Sequence, residues 1–170
     1  MEQYRGKKVL IVGLGKTGFA LIHLFNQWGC EIKVTDIKPI FDLNKQVKRL
    51  KKINPTPTMT LGEHREEDFI DSDVVIYTSA VSPELPQLQA AKEHGREVYS
   101  DFSFAYIYVQ KPIIAVCGSL GRTTISHMIG YTLKLDQKNV FVCGTSEEPF
   151  VNFLGLTDQD EYDYCVVEVS

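Results

Sequence analysis

A glycine-rich segment in the second half of the chain has residue types and spacing that suit phosphate binding. The segment 118–124, GSLGRTT, follows the apolar run 113–117 and precedes a pattern with helical spacing that begins near Thr124. A buried strand, a glycine turn and a helix start can hold an anion, because successive backbone N–H groups and the positive end of the helix dipole converge on it. The sequence therefore predicts a phosphate-binding loop. Its candidate contact residues are Gly118, Gly121, Arg122, Thr123 and Thr124.

The cation of this loop is an arginine. Nucleotide-hydrolysing loops carry a lysine after the second glycine, and that lysine bridges the outer phosphates of ATP. Arg122 keeps the charge, but its wide planar fork does not replace a compact ammonium that reaches past the loop backbone. We therefore expect a loop of phosphate-binding origin that does not carry out ATP chemistry. The alternative is a glycine-rich turn in which Arg122 faces solvent.

A second glycine turn lies near the start of the chain. The apolar, β-branched run 8–12 leads directly into the segment 13–18, GLGKTG, and a helical pattern follows. A further strand over 31–35 ends in Asp36, which lies 18 residues after Gly18. This order of strand, glycine turn, helix, strand and acid is typical of a dinucleotide-binding crossover.

The residues of this crossover indicate what it could bind. Gly13 and Gly15 would let the backbone approach a pyrophosphate, and Lys16 and Thr17 add a cation and a hydroxyl at the helix start. Asp36 can accept hydrogen bonds from ribose hydroxyls or from a base N–H. NAD, FAD or a nucleotide sugar would each fit these groups. The alternative for Asp36 is a helix or turn cap.

Composition narrows the class of protein. The chain has 170 residues, a net charge of -4 and no basic stripe, which argues against general nucleic-acid binding. Its four cysteines show no metal-binding spacing, which favours free thiols in a reducing compartment. No signal peptide opens the sequence, and no apolar run approaches the roughly 20 residues that span a bilayer. A cytoplasmic protein without membrane insertion is predicted.

The order of the elements predicts an α/β protein with two domains. Strands and helices alternate over residues 1–110, which predicts a Rossmann-like parallel-sheet domain with Ser79 just after the carboxyl end of one strand. The pair Lys111-Pro112 marks the boundary. Residues 111–170 then predict a partial α/β domain of the phosphate-loop type, too short for a complete sheet. The predicted strands cover 8–12, 31–35, 58–61, 74–77, 97–99, 113–117, 140–142 and 165–169.

Six motifs in this order resemble those of the Mur ligase family, and most closely those of its members that add D-glutamate to UDP-N-acetylmuramoyl-L-alanine. The resemblance extends over the whole chain. It is carried by residues 4–9 leading into 13–18, by the 61–64 turn, by the Ser79 loop, by 118–124, by the segment from Gly144, and by Glu168-Val169-Ser170.

The resemblance implies a ligand set and a reaction. Family members activate the carboxylate of a UDP-muropeptide as an acyl phosphate with ATP and magnesium, and the amine of D-glutamate then attacks it. The 118–124 loop would hold ATP and Glu168 would help bind magnesium. The positions that would grip the UDP part of a UDP-N-acetylmuramoyl peptide, or of a related UDP-sugar, are Gly15, Lys16, Thr17, Asp36, Ile37, Lys38 and Ser79.

The chain departs from the family pattern where catalysis needs it most. Arg122 replaces the loop lysine, Leu120 replaces an asparagine, and the usual Gly-Asn-Ile-Gly reads GTSE from Gly144. The usual Ser-Pro-Gly reads SAV from Ser79, which is closer to the related alanine-adding ligase. Each lost catalytic contact costs on the order of 10²- to 10³-fold in rate. We therefore expect a shortened Mur-ligase-like protein that does not catalyse the family reaction by itself.

Two alternatives stay open at this point. The first is a non-catalytic module that binds a UDP-sugar or a nucleotide, or that regulates a complete ligase; Asp36, Lys16 and Thr17 would then act and Arg122 would not. The second is a fragment of an NAD-binding oxidoreductase, which the glycine fingerprint and Asp36 suggest. This second alternative leaves the 118–124 loop unexplained, and no hydride-transfer site is visible.

Overall fold

The computed structural model describes residues 2–169, which form two compact units that divide between Phe104 and Ala105. The division lies inside helix α5 (Asp101–Tyr108), a few residues before the Lys111-Pro112 pair. Each unit has its own parallel sheet. The mixed α/β class expected from the alternating pattern is confirmed.

The first unit alternates strands and helices along its length. Its sheet is parallel throughout, with strand order β3-β2-β1-β4-β5, so the strand order reverses between β1 and β4. This is the Rossmann-like arrangement that the sequence predicts. After a short 3₁₀ helix (Glu2–Tyr4), its elements are β1 (Lys8–Val12), α1 (Lys16–Gln27), β2 (Glu31–Asp36), α2 (Asn44–Leu50), β3 (Thr58–Leu61), α3 (Glu66–Ile70), β4 (Val74–Tyr77), α4 (Pro86–Glu93), β5 (Glu97–Ser100) and α5.

The central strands of this unit are apolar because both faces of the sheet are covered. Leu10 and Val75 are fully buried and pack against Phe69 of α3 and Leu88 of α4. Another part of the core is aromatic, since the ring of Phe104 lies within 6.1 Å of those of Phe25, Trp28 and Tyr4. Strands of a parallel sheet that are buried on both faces are apolar along most of their length, as β1 and β4 are here.

The second unit is smaller. Within residues 105–169 it contains β6 (Ile113–Val116), α6 (Arg122–Leu135), β7 (Val140–Cys143) and β8 (Tyr164–Glu168), with the parallel strand order β6-β8-β7. Two 3₁₀ helices, Phe150–Gly155 and Gln159–Glu161, lie in the stretch before β8, where the sequence predicted no element.

Helix α6 covers one face of this small sheet. Ile129 and Leu133 pack against Val140 and Val166 of the sheet. The helix begins at Arg122, two residues earlier than expected, so Arg122 and Thr123 belong to its first turn. A strand, a glycine turn and a helix start therefore follow one another as the phosphate-loop pattern requires.

Within residues 2–169, no helix is both long enough and apolar enough to cross a bilayer.

Candidate nucleotide-binding sites

The carboxyl ends of β2, β1 and β4 bring the predicted ligand residues of the first unit to one edge of its sheet. Val12 is level with Thr35 on one side and with Tyr77 on the other. The glycine turn after β1, the Asp36 turn after β2 and Ser79 after β4 therefore share that edge. In open parallel sheets, ligands bind where the strand order reverses, which here lies between β1 and β4.

Two glycines of the 13–18 turn are required by packing. Gly13 is buried with φ +104°, its N–H donates to the carbonyl of Thr35 at 2.8 Å, and a Cβ at this position would overlap Oγ1 of Thr78. A Cβ at Gly18 would overlap the carbonyl oxygen of Gly13. The start of α1 therefore lies so close to the end of β1 that neither glycine has room for a side chain.

Gly15 lies in a different environment. It is the N-cap of α1 with extended backbone (φ −88°, ψ −166°), and a Cβ at this position would lie within 4 Å of no atom beyond its own chain neighbours. Lys16 beside it is exposed and Thr17 is half-buried. The space next to Gly15 is therefore open, at a helix start whose first N–H groups have no partner within the helix.

The carboxylate of Asp36 connects two turns at this edge. Its Oδ2 accepts a hydrogen bond from the backbone N–H of Leu14 at 2.7 Å, and its Oδ1 accepts one from the N–H of Lys38 at 2.9 Å. The contact with Lys38 is a turn cap, which the sequence left as the alternative for this residue, whereas the contact with Leu14 joins the turns after β1 and β2. Its contact with a ribose or a base stays a prediction, and so do the ligand roles of the exposed residues Ile37, Lys38 and Ser79.

Thr35 supports this edge and was not anticipated from the sequence. It is fully buried, and its Oγ1 lies 2.9 Å from Nδ1 of His64 and 3.2 Å from the carbonyl oxygen of Glu63. Its side chain therefore joins β2 to the 61–64 turn, while its backbone carbonyl accepts the hydrogen bond from the N–H of Gly13. The sequence signal that could have indicated this role is a polar threonine in the strand just before Asp36.

We expect His64 to make the stability of the first unit depend on pH. Burial lowers the pKa of His64 from its ordinary value of 6.5, and the charge of Asp36 opposes that shift. The unfolded chain therefore takes up a proton as the pH falls through 6.5, while folded His64 stays neutral to lower pH. Stability is expected to be unaffected by this group above pH 6.5 and to fall below it.

Replacing His64 with glutamine should flatten this dependence. We expect the free energy of unfolding of the full chain to fall less between about pH 7.5 and about pH 5 in His64→Gln than in the wild type. Urea denaturation at each pH measures the difference. His23→Gln, at an exposed position on α1, is the matched control and should keep the wild-type slope. Equal slopes for wild type and His64→Gln would contradict the assignment.

The 118–124 loop of the second unit surrounds an open cavity. The cavity has a volume of about 270 Å³ and is lined by residues 119–124 and Glu168. Gly121 is the N-cap of α6 with φ +76°, and the side chain of Leu120 is 90% exposed. The β6–β8 pairing places Val116 level with Glu168, which brings the end of β8 to this loop.

Arg122 is bound to the protein itself. Its Nη1 donates to the carbonyl oxygen of Gly118 at 2.6 Å, and its Nε lies 3.4 Å from Oε1 of Glu168. The hydroxyl of Thr123 donates to Oε2 of the same carboxylate at 2.7 Å. The charge of Arg122 is therefore directed at Glu168. Ser170, the last residue of the matched segment that begins at Glu168, lies outside the described residues.

This arrangement does not fit a magnesium-bound triphosphate. Such a group needs a cation that is available to the phosphates and a carboxylate that is available to the metal. Here the guanidinium of Arg122 is paired with the carboxylate of Glu168, and the same carboxylate accepts the hydroxyl of Thr123. We therefore derive no catalytic step through ATP or magnesium.

Thiol chemistry is disfavoured at the buried cysteines. Burial raises the pKa of Cys30 to about 11 and that of Cys165 to about 11, with partial opposition from Lys7 and Lys111 respectively. Burial also raises the pKa of Cys143. The thiolate is the reactive form, so these groups are unreactive at neutral pH. Cys117 is exposed.

Comparisons with known proteins relate both units of the chain to Mur ligases. Residues 7–100 match the family described as the Mur ligase MurD-like N-terminal domain. A UDP-N-acetylmuramoylalanine--D-glutamate ligase from Bdellovibrio bacteriovorus is 31% identical over 98% of this chain and 35% of its own length. The enzyme of that name from Koribacter versatilis is 32% identical over 98% of this chain and 36% of its own length. The chain thus spans about a third of the length of these relatives.

Solved structures support the fold. The UDP-N-acetylmuramate:L-alanyl-gamma-D-glutamyl-meso-diaminopimelate ligase from Neisseria meningitides has a TM-score of 0.54 at 16% identity, over 96% of this chain and 52% of that chain. A murein peptide ligase from Psychrobacter arcticus has a TM-score of 0.51 at 17% identity, over 97% of this chain and 38% of that chain. By its sequence match, this chain belongs to the Mur ligase family and carries its MurD-like N-terminal domain.

Proposed function

We propose that the first unit binds the UDP part of UDP-N-acetylmuramoyl-L-alanine, and that the chain contributes this substrate-binding step to D-glutamate addition without catalysing it by itself. The observation that carries the proposal is the edge of the first sheet, where the turns after β2, β1 and β4 meet beside an open Gly15. The proposed substrate is the one after which the relatives from Bdellovibrio bacteriovorus and Koribacter versatilis are named.

Each turn has a role in this proposal. The open backbone at Gly15, the start of α1 and the ammonium of Lys16 hold the diphosphate, because all three favour negative charge. The hydroxyl of Thr17 adds a further hydrogen bond. The turn from Asp36 to Lys38 receives the uridine, and Ser79 contacts the ligand from the other side of the reversal in strand order.

The second unit is the reason why we propose a chain that does not catalyse the reaction by itself. Family chemistry joins a carboxylate to an amine through an acyl phosphate, with ATP and magnesium as cofactors. In this chain the guanidinium of Arg122, the cation of the 118–124 loop, is engaged by the carbonyl of Gly118 and by the carboxylate of Glu168. Its own contribution is to bind and orient the UDP-linked substrate.

The pairing of Arg122 with Glu168 favours one other candidate function. A module that binds a UDP-sugar and regulates a complete ligase would need the first sheet edge and would not need a working ATP loop. A complete ligase supplied with its substrates, ATP and magnesium separates the two cases. A change in its rate of D-glutamate addition on adding this chain supports the regulatory module, whereas an unchanged rate favours substrate binding alone.

Calorimetry tests the binding proposal directly. We expect the full chain to bind UDP-N-acetylmuramoyl-L-alanine, and Lys16→Ala to weaken binding by about 10- to 100-fold, because a hydrogen bond or ion pair to a charged group is lost. Gly15→Ala should also weaken binding by about 10-fold, since its new methyl group occupies the open space beside the loop.

Two controls make the result specific. Lys92→Ala removes an exposed lysine from α4 and should leave the affinity unchanged. NADH in place of the UDP-muropeptide should give no heat. Equal affinities for wild type, Lys16→Ala and Gly15→Ala would contradict the proposed site, and tight NADH binding that UDP does not displace would favour the oxidoreductase alternative.

A further inference from the structure

A carboxylate of the protein lies against the 118–124 loop. A glycine turn followed by a helix start attracts negative charge, through its N–H groups and through the helix dipole. In this chain a carboxylate from β8, Glu168, is hydrogen-bonded to the first turn of α6 through the hydroxyl of Thr123 at 2.7 Å. The place at which a bound phosphate would be favoured therefore already has a negative group of the protein beside it.

The burial of the pair indicates that this contact is substantial. The side chain of Glu168 is 12% exposed and that of Arg122 is 30% exposed. A carboxylate so far removed from water needs partners that compensate its charge. Arg122 and Thr123 are the partners seen, and the guanidinium also reaches the carbonyl oxygen of Gly118.

An arginine can make this bridge and a lysine cannot make it in the same way. The guanidinium presents several donors in a rigid plane, so one side chain contacts Gly118 and Glu168 together, whereas an ammonium is a single mobile point charge. The replacement of the family lysine by Arg122 therefore removes an ammonium and also adds contacts with Gly118 and Glu168. It closes the loop onto a carboxylate of the same unit.

The backbone of Glu168 holds the carboxylate in place. A Cβ at Gly144 would overlap the carbonyl oxygen of Glu168 and lie 2.7 Å from the backbone nitrogen of Glu168. The turn after β7 therefore packs closely against the end of β8. On the other side, the N–H of Val169 donates to the carbonyl of Val116 at 2.9 Å. The end of β8 is thereby fixed between its two neighbours.

We propose that Glu168 is the built-in anion of the 118–124 loop, which it closes to inorganic phosphate and to nucleotide phosphates by pairing with Arg122 and Thr123. An added phosphate would compete for the same donors and would meet a fixed negative charge. This inference concerns the second unit and stands independently of UDP-sugar binding by the first.

Anion rescue of a Glu168 variant tests the inference. In Glu168→Gln the loop keeps Arg122 but loses its internal charge, so the full chain should melt at a lower temperature, and inorganic phosphate at constant ionic strength should raise that temperature by about 3–5 °C. Wild type should show no phosphate-dependent shift. Glu161→Gln, an exposed glutamate of the same unit, is the matched control and should behave as wild type. The double variant Glu168→Gln/Arg122→Met should lose the rescue.

Wild type alone also tests the inference, whether or not Glu168→Gln folds. Calorimetry with ATP and excess magnesium should detect no binding to the wild-type chain. Binding of that nucleotide by wild type, or a phosphate shift in wild type as large as that in Glu168→Gln, would overturn the proposal. So would a folded Glu168→Gln that phosphate does not stabilise.

Discussion

Gly13→Ala is expected to destabilise the first unit by about 2 to 5 kcal/mol, which is a large part of the stability of a domain of this size. Two costs add. The new methyl group would overlap Oγ1 of the buried Thr78, and alanine would have to adopt φ +104°, a backbone conformation that side chains disfavour. Urea denaturation of the full chain, followed by circular dichroism, measures the loss.

The neighbouring glycine is the internal control. Gly15 has extended backbone and open space around it, so Gly15→Ala should change the free energy of unfolding by less than about 1 kcal/mol. The double variant Gly13→Ala/Thr78→Ala should regain the stability that Gly13→Ala loses through the overlap with Thr78. It should not regain the stability that is lost through the backbone conformation. Equal stabilities of Gly13→Ala and Gly15→Ala would show that the turn is not packed as described.

Asp36→Ala is expected to weaken binding of UDP-N-acetylmuramoyl-L-alanine by at least about 30-fold. This expectation rests on the proposed function. The carboxylate positions two turns of the site, through the N–H groups of Leu14 and Lys38, and a hydrogen bond to a charged acceptor contributes about 1.5–3 kcal/mol. Calorimetry gives the affinity, and denaturation of the same variant gives its stability.

A matched aspartate separates positioning of the site from general destabilisation. Asp73 accepts a hydrogen bond from the N–H of Lys8 at 2.9 Å, at the amino ends of β1 and β4 and therefore at the opposite edge of the sheet. Asp73→Ala should lower stability and leave the affinity unchanged. A similar loss of affinity in both variants would mean that Asp36 acts only through the stability of the fold.

Much of the secondary structure could be predicted from the sequence, because it depends on residues that are close together along the chain. The strands over 8–12 and 74–77 have the bounds expected from their apolar, β-branched runs, and the strand over 58–61 also has its expected bounds. The glycine turns after β1 and β6 lie where strand and helix patterns meet. The 3₁₀ helix Phe150–Gly155 was not predicted, because a short 3₁₀ segment has no long periodic pattern of apolar residues.

The sequence by itself determined the α/β class, the order of strands and helices, the family resemblance and the presence of an arginine where the family has a lysine. Only the tertiary structure decided the partners of the charged groups. Asp36 meets Leu14 because β1 and β2 pair in parallel, and Arg122 meets Glu168, 46 residues away, because β8 pairs with β6. Secondary structure depends on neighbours along the chain, whereas the environment of a charge depends on which strands become neighbours in space.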